Sequence, residues 1–290
     1  MCPTLFTSGD AAAAKASELL QSLSDVDNAV RRNQILAQAV ELYCSAADHL
    51  NLPLVCLRLE QMHYYSGIID LALTAAAKID PFNLGSQYLA DPENKGQIPE
   101  IRNMYSRRTS CYKCITDLFD RVVSTPASDL PVLRSDSPNE QLESLVRKCL
   151  ASKDELCHTA VFDWMMERSF SEQILKCITL ATLQVNSPFV EQYLYRKIHA
   201  HPLANERYMD LLWKLFEKNR QCMSAAQLLI VLAEKESTRI GLEQRILYLS
   251  RAIICAKSQP DGSIEQNELL QEAQDKFDVT AYFPFDNRKV

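Results

Sequence analysis

Glycine is almost absent from this sequence and occupies only 6 of its 290 positions. Sandwiches, barrels and nucleotide-binding α/β domains use glycine in tight turns and phosphate loops, and about 7% is usual in globular chains. Leucine and alanine, both good helix formers, are abundant instead. This composition favours an all-α chain. A hydrophobic share of 47% is enough for a buried core, and the length allows one large or two average domains.

The charge balance argues against binding to nucleic acid or to anionic lipid. The chain carries 31 basic and 37 acidic residues, a net charge of −6, whereas phosphate backbones and anionic membranes attract clustered cations. No apolar stretch approaches the roughly 20 residues that a membrane-spanning helix needs. Residues 1–10 lack the pattern of a secretory signal, so we expect the ten cysteines to be free thiols in a reducing compartment.

Apolar residues recur every three to four positions along most of the chain, which predicts roughly ten to twelve helices. Because the connections are short, sequential helices should pack antiparallel. The sequence therefore predicts an irregular α-solenoid, although no fixed repeat of about 34 or 40 residues is present. In the first half we expect helices at 25–50, 64–78 and about 99–123, with a loop at 81–97.

A proline-rich stretch at 124–138 is the strongest linker signal. Helix starts with capping-box character follow it, each a serine before a proline or an acid. These starts are Ser137-Pro138, Ser152 with Glu155, Ser169 with Glu172, and Ser187-Pro188. The predicted organisation is a first helical part at 1–123, a linker or loop at 124–138, a second part of the same helical array at 139–277, and a tail at 278–290.

Cys111 and Cys114 form the only pattern typical of a metal or redox site. Zinc requires four ligands, and the nearest further candidates are Cys149 and the Cys157-His158 pair, beyond the proline-rich stretch. The apolar stripe continues through the motif, so we interpret it as two cysteines of one helix, with one facing the core. A zinc enzyme is the alternative, and stoichiometric zinc in the purified protein would support it. On the favoured interpretation, Cys111→Ser should be nearly silent.

Other polar groups have ordinary structural explanations. His199 and His201 lie near a helix end, where imidazole is favourable without a metal, and Asp154-Glu155 sits at a helix start, where it compensates the helix dipole. His49 and His63 lack partners at ligand spacing. The one basic cluster could bind an acidic peptide, but we interpret it as a solvated helix face. Its members are Arg102, Arg107, Arg108 and Lys113.

No catalytic motif, phosphate loop or cofactor motif is present in the sequence. We therefore expect no enzyme activity, no cofactor and no metal, and we assign no residue to catalysis or partner binding. Five aromatic residues of the second half should mostly lie between helices, and one or two exposed rings would mark a groove for a partner peptide. They are Phe162, Trp164, Tyr208, Trp213 and Phe216.

Several stretches, in order over about residues 40–258, resemble the C-terminal helical region of the nucleoporin-155 family. This family comprises large non-repetitive scaffold proteins of the inner ring of the nuclear pore. The first two stretches are Tyr64 to Ala76 and Tyr112 to Asp117, and Ser152 to Trp164 also fits. The most specific is Arg207 to Trp213, continuing through Glu217-Lys218-Asn219, Arg245 to Ile253 and Ala256-Lys257-Ser258.

The resemblance implies a non-catalytic α-solenoid that docks other nucleoporins, including flexible linker nucleoporins bound as short peptides. It also implies localisation at the nuclear envelope, an indirect role in nucleocytoplasmic transport, and no direct contact of this segment with nucleic acid or membrane. Family members carry an N-terminal β-propeller that this sequence could not form, so we expect a fragment, a partial gene model or a truncated paralogue. A helical adaptor of another assembly, such as a vesicle coat, remains the alternative.

Overall fold

The computed structural model of the protein describes residues 7–26, 28–124, 138–168, 189–258 and 262–282. These residues form α-helices, one short 3₁₀ helix at Ser22–Asp25, and no strand. The chain divides into two compact units, residues 1–187 and 188–290. The all-α class predicted from glycine scarcity and periodicity is confirmed.

Nine described α-helices belong to the first unit, and the 26-residue α7 is the longest of them. It packs against α3, α4, α5, α8 and α9, while α2 packs against both α1 and α4. The helices are α1 (Ser8–Gln21), α2 (Ala29–Ser45), α3 (Leu52–Gln61), α4 (Tyr65–Ile79), α5 (Leu84–Ala90), α6 (Pro92–Lys95), α7 (Pro99–Ser124), α8 (Pro138–Leu150) and α9 (Glu155–Glu167).

The second unit contains five described α-helices, each packed on its neighbour in the sequence. Connections such as Asn219–Gln221 are short, which favours antiparallel packing of the helices that they join. The apolar stripes face one another, which stabilises helices of 12 to 19 residues that would be marginal alone. The helices are α10 (Phe189–Ala200), α11 (Glu206–Lys218), α12 (Cys222–Glu234), α13 (Leu242–Lys257) and α14 (Ile264–Tyr282).

Side-chain caps set several boundaries differently from the sequence prediction. The helix expected at 25–50 begins at Ala29, because the Asn28 carboxamide accepts the N–H groups of the first turn. The helix containing Trp164 is capped by Asp154, and Ser152 is not the cap; its hydroxyl accepts a bond from the Asp154 N–H at 3.4 Å. In both helices the cap is an Asn or Asp that directly precedes the first helical residue.

The loop predicted at 81–97 is largely helical, in the form of α5 and α6. Asp80 and Asp91 accept backbone N–H bonds that start these two helices, and Pro92 follows as the first helical residue of α6. Gly85 lies where α5 approaches α7, and a Cβ there would be 3.2 Å from the Tyr105 backbone nitrogen. Residues typical of turns therefore cap helices here, or permit two helices to pack closely.

Several sequence predictions lie outside the described residues. They are the body of the proline-rich linker at 125–137 with Ser137, the capping pattern of Ser169 and Glu172, the helix start at Ser187-Pro188, and the end of the tail from 283 to 290. The predicted boundary at 124–138 stays a prediction. On its carboxyl side, α8 contacts α4 and α7 of the first unit.

Candidate interaction site

A buried ion cluster in the first unit joins three helical segments. The Arg108 side chain on α7 is 5% exposed and pairs with Asp80 at 3.1 Å and with Asp154 at 2.6 Å. The two carboxylates come from segments that precede α5 and α9. One guanidinium therefore connects the starts of both helices to the middle of α7.

Helix capping explains why the two carboxylates lie there. Asp80 accepts the first two backbone N–H groups of α5, both at 2.8 Å. Asp154 accepts two N–H groups in the first turn of α9, at 3.1 and 3.2 Å. A negative charge is favourable at a helix N-terminus, so the cluster combines capping with charge pairing. The dipole interpretation of Asp154 agrees with this geometry but omitted its cation partner.

Tyr112 completes the cluster one turn beyond Arg108. Its hydroxyl donates to Asp154 and accepts the Arg108 Nε–H at 3.0 Å. Burial, followed by the nearby Asp154 charge, raises the pKa of Tyr112 above its usual value. Burial alone would lower the pKa of Arg108, but Tyr112 and Asp154 outweigh it and leave that pKa raised. The cluster therefore holds a permanent cation and a neutral phenol.

The prediction of a solvated basic face on α7 is wrong for one of its four residues. Arg102, Arg107 and Lys113 are exposed, but Arg108 is buried. Arg108 shares the buried face of α7 with Tyr112 and Ile115, four and seven residues onward. This spacing is visible in the sequence and indicates that Arg108 is buried. A buried arginine needs buried anionic partners.

Both cysteines of the Cys111 and Cys114 motif are buried, whereas the sequence predicted only one of them in the core. Residues three positions apart lie on the same helix face, so a face that buries Cys111 also buries Cys114. Burial, with a contribution from Cys114, raises the pKa of Cys111 to about 11. A hydrogen bond between Cys114 and Cys56 on α3 raises the pKa of Cys56, where burial adds to the effect, and lowers the pKa of Cys114. A thiol with a raised pKa, such as that of Cys111, is a poor nucleophile and a poor metal ligand.

Cys149 and Cys157, the proposed further zinc ligands, contact each other between α8 and α9. Their hydrogen bond, together with burial, raises the pKa of Cys157 well above its usual value. Burial also lowers the pKa of His158, whose Nε2 lies 2.9 Å from the Ser152 carbonyl oxygen. Within the described ranges, no three His, Cys, Asp or Glu side chains are arranged to hold a metal ion.

We expect Cys111→Ser to change the free energy of unfolding by less than about 1 kcal/mol, because a serine hydroxyl can take over the bond from Cys111 Sγ to the Arg107 carbonyl oxygen. Urea denaturation of the two proteins measures the difference. Loss of folding in the variant would show that this thiol has a role beyond packing.

The remaining histidines occupy local structural positions. His199 lies in the last turn of α10, with Nδ1 2.7 Å from the Tyr195 carbonyl oxygen. The His201 ring follows that helix and stacks on Tyr208 with a centroid distance of 6.5 Å. His63 contacts the Tyr65 hydroxyl at 3.1 Å, and His49 lies 3.0 Å from Asp48. Each has a neighbour that accounts for its placement.

All five aromatic residues singled out in the sequence are buried. Two of them also border grooves. The Trp164 indole N–H donates to Asp120 at 2.7 Å, and the Trp213 indole N–H donates to Asp210 at 2.9 Å. Relative exposures are 0% for Phe162, 4% for Trp164, 4% for Tyr208, 9% for Trp213 and 4% for Phe216.

An open groove of about 580 Å³ runs between α7 and α9, and we call it the α7–α9 groove. On the α9 side it is lined by residues at helical spacing: Ala160, Asp163, Trp164 and Glu167. At one side Tyr88 of α5 stacks on Tyr105, with ring centroids 4.2 Å apart. On the α7 side it is lined by Arg102, Tyr105, Ser106, Thr109, Ser110, Lys113 and Thr116.

A second groove of about 350 Å³ lies between α11 and α13, and we call it the α11–α13 groove. Its charges are paired internally, since Lys214 contacts Asp210 at 2.6 Å and Arg251 contacts Glu217 at 3.1 Å. Leu247 contributes an apolar side chain that is 56% exposed. The stretches of strongest sequence resemblance, Arg207 to Trp213 and Arg245 to Ile253, lie on these two helices.

Across the described part of the chain, the helices are too short or too polar to cross a membrane. Helices packed on their sequence neighbours around apolar cores, with open grooves on their surfaces, define an all-α protein of the solenoid class. A family model described as the C-terminal region of non-repetitive/WGA-negative nucleoporins matches residues 1–282. The chain belongs to this nucleoporin family.

Relatives with curated names agree with that membership. Nup154, a nuclear pore complex protein of Drosophila melanogaster, is 27% identical over 297 residues, which cover 96% of this chain and 21% of Nup154. Nup170 of Chaetomium thermophilum is 27% identical over 290 residues, covering 96% of this chain and 19% of Nup170. The chain thus spans about a fifth of the length of these relatives.

Solved structures of the Chaetomium thermophilum Nup170 CTD share the fold. One has a TM-score of 0.70 and 25% identity, covering 94% of this chain and 47% of that chain. Another, the Nup170 CTD–Nup145N complex, has a TM-score of 0.67 and 26% identity, with 94% and 50% covered. The predicted irregular α-solenoid class and the predicted family resemblance are confirmed.

Proposed function

We propose that this chain is a non-catalytic scaffold segment of the nuclear pore complex inner ring that acts by docking other nucleoporins at the nuclear envelope. The observation that carries the proposal is the nucleoporin family match over residues 1–282. Docking is supported by the Nup170 CTD, a relative of the same fold that forms a complex with Nup145N. Support of nucleocytoplasmic transport would be an indirect result of this role.

The chemistry of the polar groups supports a role without catalysis. The pKa values of the Cys56, Cys111 and Cys157 thiols are raised, whereas the pKa of Cys114 is lowered by its hydrogen bond with Cys56. Arg108 uses its donors on capping carboxylates inside the first unit. The contacts of Arg108 therefore hold helices together, and rigidly held helices can present a fixed surface to partners.

We propose that the partners are proteins, including linker nucleoporin segments bound as peptides, and that this segment contacts neither nucleic acid nor membrane. The net charge of −6 makes association with phosphate backbones or anionic headgroups unfavourable. Weak docking contacts become strong in a symmetric ring, because linked binding events raise the effective concentration of each partner.

Affinity capture tests the proposal against a vesicle-coat adaptor. The tagged full chain is incubated with nuclear-envelope extract and with a coat-enriched membrane extract, and the co-purifying proteins are identified. We expect enrichment of inner-ring nucleoporins from the first extract over a tagged control chain of similar size and charge. Enrichment of coat subunits without nucleoporins would contradict the scaffold role.

A further inference from the structure

We propose that Cys56 and Cys114 are a dithiol site that a small hydroperoxide oxidises to a disulfide linking α3 to α7. The two cysteines are 58 positions apart in the sequence and come together through helix packing inside the first unit. The disulfide would tie α3 covalently to the longest helix of that unit. Such a site is independent of the partners that the chain binds.

Two contacts bring the facing sides of α3 and α7 together. The Cys56 thiol forms a hydrogen bond with Cys114. Glu60 lies one turn beyond Cys56 on the same face of α3, and its carboxylate oxygens accept the Arg121 Nε–H at 2.7 and 2.8 Å. Arg121 is seven positions beyond Cys114, which places both on one face of α7. The ion pair therefore supports the same alignment of helices that brings the two sulfur atoms into contact.

Burial restricts which oxidant can reach the pair. Cys56 is 2% exposed and Cys114 is 7% exposed. Because little of either residue is accessible, the oxidant must be small, and hydrogen peroxide meets this requirement. Cys114 is the more exposed of the two and is therefore the first sulfur that the oxidant meets.

The two thiols also differ in how readily they lose a proton. The Cys56 thiol donates its hydrogen to Cys114, which lowers the pKa of Cys114 and raises the pKa of Cys56. The positive charge of Arg121 also lowers the pKa of Cys114, whereas burial and the charge of Asp117 oppose the decrease. The thiolate is the nucleophilic form of cysteine. Cys114 therefore reacts first, and Cys56 is placed to react with the product.

The oxidation proceeds in two steps that balance. In the first, the Cys114 thiolate attacks one oxygen of hydrogen peroxide, the O–O bond breaks, and a sulfenic acid and hydroxide form. In the second, the Cys56 sulfur attacks the Cys114 sulfur and displaces the hydroxyl group, which leaves as water with the Cys56 proton. Overall, the two thiols lose two electrons and two protons, and the peroxide is reduced to two molecules of water.

Cys111 is unsuited to the same reaction, although it lies one turn before Cys114. Its Sγ donates to the Arg107 carbonyl oxygen at 3.5 Å, whereas the corresponding distance from Cys114 Sγ to the Ser110 carbonyl oxygen is 3.8 Å. Burial raises the pKa of Cys111 to about 11. Cys111 is therefore protonated at neutral pH and serves as the matched control.

Cys149 on α8 and Cys157 on α9 provide an internal comparison. They also form a hydrogen bond, which together with burial raises the pKa of Cys157 well above its usual value. Both residues are 0% exposed. Because a peroxide has less access to this pair, we expect its oxidation to follow that of Cys56 and Cys114.

Peptide mapping of the oxidised full chain tests the proposal. The reduced, folded chain is treated with hydrogen peroxide for increasing times, remaining thiols are blocked with N-ethylmaleimide, and the digest is analysed by mass spectrometry without reduction. We expect the peptides of Cys56 and Cys114 to appear joined, before any Cys149–Cys157 link, and to separate after dithiothreitol. The chain unfolded in urea should show no preference for this link.

Three variants assign the roles of the cysteines. Cys111→Ser should form the link as the wild type does. In Cys56→Ser the link is absent, and dimedone, which reacts with sulfenic acids, should label Cys114. In Cys114→Ser neither the link nor a dimedone label on Cys56 should appear. Circular dichroism checks the folding of each variant, and the wild-type map remains decisive if one of them does not fold.

Two results would overturn the proposal. One is the absence of the Cys56–Cys114 link from the folded wild-type chain at peroxide concentrations that form disulfides in the urea-unfolded chain. The other is a link that forms first between Cys56 and Cys111 or between Cys149 and Cys157. Neither result concerns the capture of nucleoporins, so failure here and failure of the scaffold role are distinguishable.

Discussion

Arg108→Ala should destabilise the first unit by about 3–5 kcal/mol. The variant leaves the carboxylates of Asp80 and Asp154 without their cation, and the Asp80 side chain is only 1% exposed. An unpaired buried charge costs far more than the net worth of the pair, because desolvation is no longer offset. Urea denaturation measures the loss of stability. Unfolding is monitored by the fluorescence of Trp164, in a background where Trp213 is replaced by phenylalanine.

Two matched variants show whether the loss comes from the ion cluster. Arg107→Ala removes an exposed arginine one position away and should change stability by less than about 0.5 kcal/mol. Arg108→Lys keeps the charge but cannot fork between both carboxylates, so it should lose more than about 1 kcal/mol. If Arg108→Ala and Arg107→Ala behave alike, the cluster does not hold α5, α7 and α9 together.

Trp213→Ala should destabilise the second unit by about 3–5 kcal/mol, the range for removing a large aromatic side chain from a core. Trp213 on α11 is 9% exposed, and its indole hydrogen bond to Asp210 is lost in the variant. The loss of helical circular dichroism in urea measures the change. Leu247→Ala, in the same groove but 56% exposed, is the control and should cost less than about 1 kcal/mol.

A change below about 1 kcal/mol for Trp213→Ala would mean that the ring contributes little to the core. Trp213 would then be a candidate contact for a partner in the α11–α13 groove, since buried aromatic residues dominate interface energetics. The structure predicts the larger effect, because the Trp213 side chain is buried on α11.

Periodicity predicted the helices well because their stability comes from apolar stripes that are visible in the sequence. It failed at 81–97, where Asn83, Gly85 and Asp91 look like loop residues. Asn83 does adopt a left-handed conformation, with φ of 55°, but Asp91 caps a helix and Gly85 permits close packing. Such roles depend on a neighbouring helix that local patterns do not reveal.

The polar cluster and the grooves were harder to predict from sequence than the fold. Asp80 and Asp154 are 28 and 46 residues away from Arg108 in the sequence. No local sequence pattern predicts contacts between residues so far apart. The register of Arg108 with Tyr112 on α7 was the one local indication of burial. The α7–α9 groove likewise forms only where α7 and α9 pack together.

Direct binding to a nucleoporin tests the central claim of a docking scaffold. Isothermal titration calorimetry would combine the purified full chain with the counterpart of Nup145N from the same organism. The account predicts saturable binding near one-to-one stoichiometry by a chain that circular dichroism shows to be helical. A folded chain that gives no binding heat, and no complex by size-exclusion chromatography, would contradict it.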